Sequence, residues 1–211
     1  MGIIVNHELT FTEIRMRQLA MFVDVFVIME SKMTSGGDTK PLHFYEAFKK
    51  GFLHEFQDKI LYICIEEIPS SYIKDGWLAE SFLRNEMSQR ALSRLKGLKE
   101  DDLFLSFDAD EIPKEEVIIF LKFHTGYKIP FMFNFRWSVF TFYWIHSDDL
   151  KTMTSVIGGS TIKHVAEKCL GNIYDLRNQK CVDTSPLEVN SLATMFLNLF
   201  LLILEMICSL Y

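Results

Sequence analysis

Short apolar stretches alternate with amphipathic stretches over the first 123 residues of the chain. Four apolar runs have the length and the β-branched or aromatic content of buried strands: residues 2–5, 25–29, 59–65 and 102–107. The stretches after them repeat apolar positions with a helical period: residues 12–22, 44–56, 78–95 and 115–123. This alternation predicts an α/β fold in which a mostly parallel sheet carries helices on both faces.

The pattern changes after residue 123. Residues 129–145 form one long aromatic stretch of β type, which predicts a bent strand or a hairpin packed against the sheet. Arg136 lies near its middle, and because an unpaired buried arginine is costly, it is expected either to pair with an acid or to face a substrate. Residues 147–186 are polar and weakly patterned. Residues 192–211 are long and apolar enough to span a bilayer, so a C-terminal hydrophobic helix is expected there.

Composition supports a folded domain and excludes one class of function. Hydrophobic residues make up 49% and aromatic residues 14% of the 211 residues, which is enough for a sizeable core. The net charge is −6 and the basic residues are scattered, so the sequence shows no broad positive surface for a nucleic-acid partner. The cysteines have no zinc-site spacing; Cys169 and Cys181 could pair, but nothing in their spacing demands it.

The candidate chemistry is concentrated where the strand at 102–107 ends. Asp108, Asp110 and Glu111 follow that strand directly, and residues two apart in an extended chain share a face. Two hard oxygen donors at a strand's carboxyl end suit Mg²⁺ or Mn²⁺ carrying a diphosphate. We therefore predict that Asp108 and Asp110 bind a metal and a diphosphate; the alternative is a solvated acidic turn. Glu111 is expected either to support these two residues or to cap the helix after Pro113.

Other candidates follow earlier strands. Glu30 ends the strand at 25–29, where nucleotide-binding folds often place an acid that accepts hydrogen bonds from a ribose; the alternative is a solvated strand end. Asn6 and Glu8 follow the first strand and are expected near a base pocket, although turns favour asparagine in any case. Arg84 is a candidate for a diphosphate contact, against the alternative of an exposed helix arginine. Trp77 is expected to be a packing residue at the start of its helix.

Six segments in this order and spacing resemble glycosyltransferase family 17: residues 6–8 (Asn-His-Glu), 25–31 (Val-Phe-Val-Ile-Met-Glu-Ser), 41–44 (Pro-Leu-His-Phe), 75–77 (Asp-Gly-Trp), 82–84 (Phe-Leu-Arg) and 108–113 (Asp-Ala-Asp-Glu-Ile-Pro). The likeness runs from about residue 3 to residue 180 and continues through Arg136 and Trp144. That family contains the β-1,4-mannosyl-glycoprotein 4-β-N-acetylglucosaminyltransferases, which add the bisecting GlcNAc to N-glycans.

The resemblance implies a GT-A-like, Rossmann-type nucleotide-sugar fold and an inverting transfer. The implied donor is UDP-GlcNAc, the implied acceptor is the N-glycan of a glycoprotein, and the implied cofactor is a divalent metal, with Mn²⁺ the expected ion. It also implies a Golgi membrane location. Asn6, Glu8, Glu30, Arg84, Asp108, Asp110 and Glu111 would contact the donor, and Asp108 and Asp110 the metal. No residue of this sequence can be assigned as the general base that an inverting transfer needs.

The family pattern gives way after about residue 182, which divides the sequence into three parts. We predict a nucleotide-sugar-binding domain over 1–146, a partial continuation or linker over 147–191, and a hydrophobic tail over 192–211. The tail is expected either to associate with a membrane or to be an artefact of a gene model that is translated past its true exon. Neither a signal peptide nor an N-terminal anchor is visible.

Two other functions compete with transfer. One is a pseudo-enzyme that keeps the sugar-nucleotide pocket without catalysis. The other is a metal-dependent phosphohydrolase, which is ranked last because such enzymes place their Asp-x-Asp after the first strand and here the pair follows the fourth.

Overall fold

The computed structural model describes residues 1–138, 153–182, 186–189 and 194–196. The strands in these residues are β1 (Gly2–Ile4), β2 (Phe26–Ser31), β3 (Ile60–Ile65), β4 (Leu103–Phe107), β5 (Phe131–Ser138), β6 (Met153–Thr161), β7 (Leu187–Val189) and β8 (Thr194–Phe196). The helices are α1 (Leu9–Leu19), α2 (His43–Lys49), α3 (Gly76–Arg94), α4 (Glu115–Phe123), α5 (Ile162–Glu167) and α6 (Ile173–Arg177), and a 3₁₀ helix covers His54–Lys59.

The strands form one mixed sheet in the order β3-β2-β1-β4-β6-β5-β7, with β8 also beside β5. Strands β3, β2, β1 and β4 are parallel, and β6 is antiparallel to both β4 and β5. The chain moves outward from β1 to β3 and then returns to place β4 on the other side of β1. This reversal creates a switch point between β1 and β4, and open α/β sheets bind ligands outside the carboxyl ends of the strands at such a point.

Helices cover both faces of the sheet, which confirms the α/β prediction. Side chains alternate along β2, so Phe26 and Ile28 join one core cluster while Val27 and Met29 join the other. The first cluster includes buried residues of α1 and α4, and the second includes residues of α3, α5 and α6. Because each central strand is buried on both faces, its sequence is a continuous apolar run, and that property made these strands visible.

Most predicted elements agree with the structure to within a few residues, and one helix is interrupted. The helix predicted over 44–56 ends at Lys49, and the 3₁₀ helix starts at His54. Between them, Gly51 and Leu53 have positive φ angles of 101° and 56°. The left-handed conformation at these two residues is incompatible with a continuing right-handed helix.

Residues 147–186 contain more regular structure than their weak pattern predicts. Strand β6 lies in the interior of the sheet, between β4 and β5. A Cβ atom at Gly158 would come within 2.3 Å of Phe107 Cε1, and one at Gly159 within 2.6 Å of the Phe104 carbonyl oxygen. The neighbouring aromatic strand therefore requires small residues in β6, and this requirement removes the apolar signature of a central strand.

The prediction of a C-terminal helix over 192–211 is wrong for residues 194–196, which are the part of this range that the structure describes. Thr194–Phe196 forms β8 and pairs in parallel with residues 136–138 of β5. The edge of β5 offers unpaired backbone groups, and a short apolar run can satisfy them as a strand as readily as it forms a helix. Residues 197–211 and 139–152 lie outside the described residues. In the described parts of the chain, none of the helices combines the length and hydrophobicity needed to cross a bilayer.

The prediction of a β-type stretch over 129–145 is confirmed for Phe131–Ser138. Arg136 belongs to β5, and both alternatives for its side chain stay predictions. The division of the chain at residues 146 and 191 stays a prediction.

The tight approach of β6 to β4 leads to a stability prediction. We expect Gly159→Ala to lower the free energy of unfolding by about 2 kcal/mol, because its Cβ would overlap the Phe104 carbonyl oxygen. The matched control is Gly76→Ala, since a Cβ there meets no atom within 4 Å, and it should change stability by less than about 1 kcal/mol. Urea unfolding followed by circular dichroism measures both variants. Equal effects of the two substitutions would contradict the packing assignment.

Candidate functional site

The predicted site residues after β1 and β4 lie at the switch point of the sheet. The two strands are neighbours, with Ile3 opposite Phe107. Asn6 and Glu8 follow β1, and the acidic turn, defined as residues 108–111, follows β4. The fold thus brings together candidates that are about a hundred residues apart in the sequence.

The acidic turn is closed by its own hydrogen bonds. The Glu111 N–H donates to the Asp108 carbonyl at 3.1 Å, and the Asp108 N–H donates to Glu111 Oε2 at 2.9 Å. The Glu111 side chain is buried. Helix α4 begins later, at Glu115 with Lys114 as its N-cap, so the helix-capping alternative for Glu111 is wrong. The buried Glu111 carboxylate thus supports the turn by binding the Asp108 N–H.

Two arginines from different helices hold the Asp108 carboxylate. Arg84 Nη2 in α3 donates to Asp108 Oδ1, and Arg177 Nη2 at the end of α6 donates to Asp108 Oδ2 at 3.0 Å. Arg177 also donates to both carboxylate oxygens of Glu111, at 2.7 and 3.0 Å. Burial would raise the pKa of Asp108, but the charges of Arg84 and Arg177 outweigh it and hold that pKa below its usual value.

Arg84 is a buried residue. Its side chain is 2% exposed, and its Nε donates to Glu80 Oε1 at 2.7 Å. The alternative of an exposed helix arginine is therefore wrong. The predicted diphosphate contact stays a prediction, and any anion at this position would share the guanidinium with Asp108.

A third arginine fixes the backbone of the acidic turn from the opposite face of the sheet. Arg15 in α1 is fully buried, and its Nη2 donates to the carbonyl oxygens of Asp108, Ala109 and Glu111 at 2.5 to 3.0 Å. Burial lowers the pKa of Arg15 to about 10, so it remains charged at neutral pH. One side chain thereby binds three carbonyl groups of the turn, of which the Asp108 carbonyl also accepts from the Glu111 N–H.

Asp110 differs from its two acidic neighbours. In the described part of the chain it makes no ion pair with an arginine, whereas Asp108 and Glu111 both do. Burial, and after it the charge of Asp108, raises the pKa of Asp110 from 3.8 to about 6. A carboxylate crowded by other negative charges is the group that gains most from a bound cation.

Among the described residues, the acidic turn supplies too few ligands to hold a divalent metal by itself. Within the described residues, no group of three or more His, Cys, Asp or Glu side chains is arranged to hold a metal ion. Mg²⁺ and similar ions are commonly held by one or two carboxylates together with substrate phosphates and water. Asp110 has the chemistry of such a ligand, while both oxygens of Asp108 are already engaged.

Glu30 is fully buried, so the alternative of a solvated strand end is wrong. Its carboxylate accepts hydrogen bonds from the N–H groups of Phe44 and Tyr45 at 2.8 and 3.1 Å, and from the Tyr62 hydroxyl at 3.0 Å. These contacts anchor the start of α2 to the sheet. The predicted ribose contact stays a prediction.

The residues after β1 are arranged differently. Glu8 Oε2 accepts from the backbone N–H groups of Asn6 and His7 at 2.9 and 3.1 Å, so Glu8 closes its own turn. Asn6 is exposed at the carboxyl end of β1. Trp77 is 70% exposed, which makes the expectation of a packing role wrong.

A family model for glycosyltransferase family 17 matches residues 1–165. The chain belongs to glycosyltransferase family 17. It is 37% identical over 158 residues to the beta-1,4-mannosyl-glycoprotein 4-beta-N-acetylglucosaminyltransferases of Homo sapiens and Rattus norvegicus, and 36% identical to that of Mus musculus. Each match covers 75% of this chain and 29% of the relative. The chain therefore spans less than a third of the length of these relatives.

A disulfide fixes the position of Arg177 in this family-17 chain. Cys169 and Cys181 are joined on either side of α6. The loop is also docked on α3, because Ser88 Oγ donates to the Gly171 carbonyl and accepts from the Ile173 N–H. The cysteine pair left open by the sequence is thus formed, and it constrains the element that presents Arg177.

Sequence reasoning missed Arg15 and Arg177. Arg15 lies in an amphipathic stretch, where an arginine is ordinarily assigned to the solvent face, and Arg177 lies in the weakly patterned region.

A cavity of about 700 Å³ lies at the amino-terminal edge of the sheet, with Val25, Phe104 and Ile118 among its walls. It is remote from the acidic turn, and the turn is the candidate site because the charged groups converge there.

The raised pKa of Asp110 predicts a pH-dependent effect in metal-free buffer. Above about pH 6 the ionised carboxylate destabilises the folded state, and this penalty is lost as the pH falls toward 3.8, the ordinary pKa. Asp110→Asn should therefore raise the free energy of unfolding by about 1–2 kcal/mol at pH 7 and by much less at pH 4. Chemical unfolding at the two pH values measures this, with Asp101→Asn at the opposite edge as the control. A gain of equal size at both pH values would contradict the prediction.

The contacts of Arg15 predict a large loss of stability. Arg15→Met should lower the free energy of unfolding by about 3 kcal/mol, because it removes the buried donor of three backbone carbonyl groups and one of the positive charges beside the acidic turn. The matched control on the same helix is Arg17→Met, whose side chain is 53% exposed and whose ion pairs contribute about 1 kcal/mol or less. Urea unfolding compares the two, and hydrogen exchange at the amides of 108–111 reports on the turn itself. Similar losses in both variants would show that Arg15 does not hold the turn.

Proposed function

We propose that this chain carries the donor-binding part of a GT-A-like, family-17 glycosyltransferase. The proposed reaction transfers N-acetylglucosamine from UDP-GlcNAc to the β-linked mannose of N-glycans on glycoproteins, with inversion at the anomeric carbon. The observation that carries the proposal is the acidic turn at the switch point, braced by Arg15, Arg84 and Arg177. The activity for which the three mammalian relatives are named supports the choice of sugar and acceptor.

Order and direction of the strands support a nucleotide-sugar fold. The parallel β3-β2-β1-β4 arrangement is the one in which dinucleotide-binding sheets place their ligand beside the first strand. The exposed Asn6 after β1 and the acidic turn after β4 flank that crevice. The proposed donor would lie across it, with its diphosphate at the turn.

The proposed cofactor is a divalent metal, with Mn²⁺ the expected ion. Asp110 would hold it, with Asp108 as the second predicted ligand. When bound, such an ion neutralises the charge that develops on the departing UDP. The chain's own residues hold the turn in place: Glu111 and Arg15 fix its backbone, while Arg84 and Arg177 orient the Asp108 carboxylate.

The disulfide supports a lumenal location. Disulfides persist in oxidising compartments such as the secretory pathway and are rare in reducing ones, and Cys169–Cys181 closes around a site element. This is consistent with the Golgi membrane location proposed from the family. Membrane association through residues 192–211 remains part of the proposal.

A sugar-nucleotide-binding protein without transferase activity would use the same site. The arginine pairing of Asp108 serves either function, since it orients a carboxylate whether or not chemistry follows. The two functions separate in a transfer assay, in which only the enzyme releases UDP in the presence of a glycan acceptor.

The donor site is tested by titrating UDP-GlcNAc into the full 211-residue chain by calorimetry, with and without Mn²⁺. We expect saturable binding that requires the metal and a loss of affinity of about tenfold or more in Asp110→Ala. Asp101→Ala removes the same charge at the opposite edge of the sheet and should bind normally. Metal-independent binding, or normal binding by Asp110→Ala, would refute the metal assignment. A folded chain that binds no UDP-GlcNAc would refute the donor proposal.

A further inference from the structure

The Asp-Gly-Trp segment at 75–77 is not explained by the acidic turn or by packing. Trp77 is 70% exposed, although tryptophan is a residue that folded proteins bury extensively. Exposed aromatic surface at the edge of a binding region commonly marks a contact with a ligand or a partner. The position of the Trp77 side chain relative to the acidic turn indicates which kind of ligand it would contact.

The exposed indole is attached to a rigid backbone. Asp75 is the N-cap of α3, and its Oδ1 accepts a hydrogen bond from the Trp77 N–H at 3.0 Å. The Asp75 carbonyl also accepts from the N–H groups of Leu78 and Ala79. Because the cap fixes the first turn of the helix, the exposure of Trp77 is a property of an ordered element.

Helix α3 directs Trp77 beyond the carboxyl edge of the sheet, on the side of the acidic turn. Met87 packs against Gly2 at the start of β1, whereas Arg84 reaches Asp108 after the end of β4. Residues that precede Arg84 therefore extend outward past the turn. Trp77 and Arg84 are seven residues apart, so they share one helix face to within about 20° and are separated by about 10 Å along the axis.

The chemistry between these two residues suits a sugar. An indole offers a flat apolar face, and a pyranose ring has one face of C–H groups that stacks on such a surface while its hydroxyl groups remain at the rim. Glu80 lies between Trp77 and Arg84 on the same face, with its side chain 32% exposed. Its carboxylate can accept a hydrogen bond from a rim hydroxyl.

We infer that Trp77 is a stacking platform for a pyranose ring of the glycan acceptor, in a subsite about two helical turns from the acidic turn. The inference rests on the proposed function. A sugar joined directly to the diphosphate would lie next to the acidic turn. The platform lies about 10 Å farther out, where the ring of the second substrate would approach.

The test compares the full chain with Trp77→Ala and Trp77→Phe. A free oligosaccharide that contains the N-glycan core is titrated into each by calorimetry, and UDP-GlcNAc with Mn²⁺ is titrated in parallel. Trp77→Ala should weaken glycan binding about tenfold, while Trp77→Phe, which keeps an aromatic face, should stay within about threefold. Donor binding should be unchanged in both. Phe123→Ala removes a ring that is 67% exposed at the end of α4, at the opposite edge, and it should bind the glycan normally.

Fluorescence gives a second measurement, because Trp77 is one of three tryptophans. The emission lost in Trp77→Phe should be that of a solvent-exposed indole, and in the unmodified chain it should shift to the blue when the glycan binds. A spectrum typical of a buried indole in the free chain would show that another protein segment covers Trp77, and it would overturn the inference.

The outcomes separate this inference from the proposed function. If the unmodified chain binds the donor but not the glycan, or if Trp77→Ala binds the glycan normally, the platform is refuted and the donor site stands. A loss of donor binding equal to the loss of glycan binding would also refute it. If the unmodified chain binds no donor but binds glycan through Trp77, the donor proposal fails and the platform stands.

Discussion

The arrangement of charge at the carboxyl ends of β1 and β4 is the constraint on which the site depends. Three carboxylates lie within four residues, and each would repel the others if the turn were isolated in a poorly solvated setting. Arginines from three helices compensate: Arg15 from α1, Arg84 from α3 and Arg177 from α6. Because α1 packs on one face of the sheet and α3 and α6 on the other, the acidic turn can be neutralised only when both layers of helices are in place.

A network of buried ion pairs contributes more to the choice of one helix arrangement than to the free energy of unfolding. Buried ion pairs cost desolvation energy that roughly offsets their attraction, so the intact network contributes little net stability. Removing one member is expensive, since it leaves an uncompensated buried charge. The network therefore favours one arrangement of the helices over others. It also leaves Asp110, with which none of these arginines forms an ion pair, as the position where an external cation has the most to add.

How much the sequence could predict depended on whether a feature is local. The buried parallel strands were predicted because burial on both faces demands continuous apolar residues, and the acidic turn because its carboxylates follow one of these strands directly. Strand β6 was missed since Phe107 and Phe133 require glycine beside them. Arg15 and Arg177 were missed because their partners are 93 to 96 and 66 to 69 residues away in sequence, respectively, and nothing in a helical period distinguishes an arginine that turns inward.

Glu30 and Trp77 are two further residues whose burial could not be predicted from the sequence: Glu30 is buried, and Trp77 is exposed. The position of Glu30 at a strand end suggested solvent or a ribose, yet α2 folds over it and uses its carboxylate as an anchor. The apolar character of Trp77 suggested packing, yet the cap at Asp75 starts α3 so early that the indole extends past the sheet. In both cases the placement of a helix start decided the outcome, and helix starts depend on tertiary contacts as well as on local sequence.

The site also extends beyond the segment that matches the family model. That match ends at residue 165, but Arg177, which binds both Asp108 and Glu111, comes from α6 after it. The Cys169–Cys181 disulfide and the contacts of Ser88 hold α6 against α3, so the position of Arg177 is fixed by the fold on both sides. A segment that ended with the match would leave Glu111 buried without its cation and Asp108 with half of its pairing. The folded unit that supports the acidic turn therefore includes residues up to Cys181.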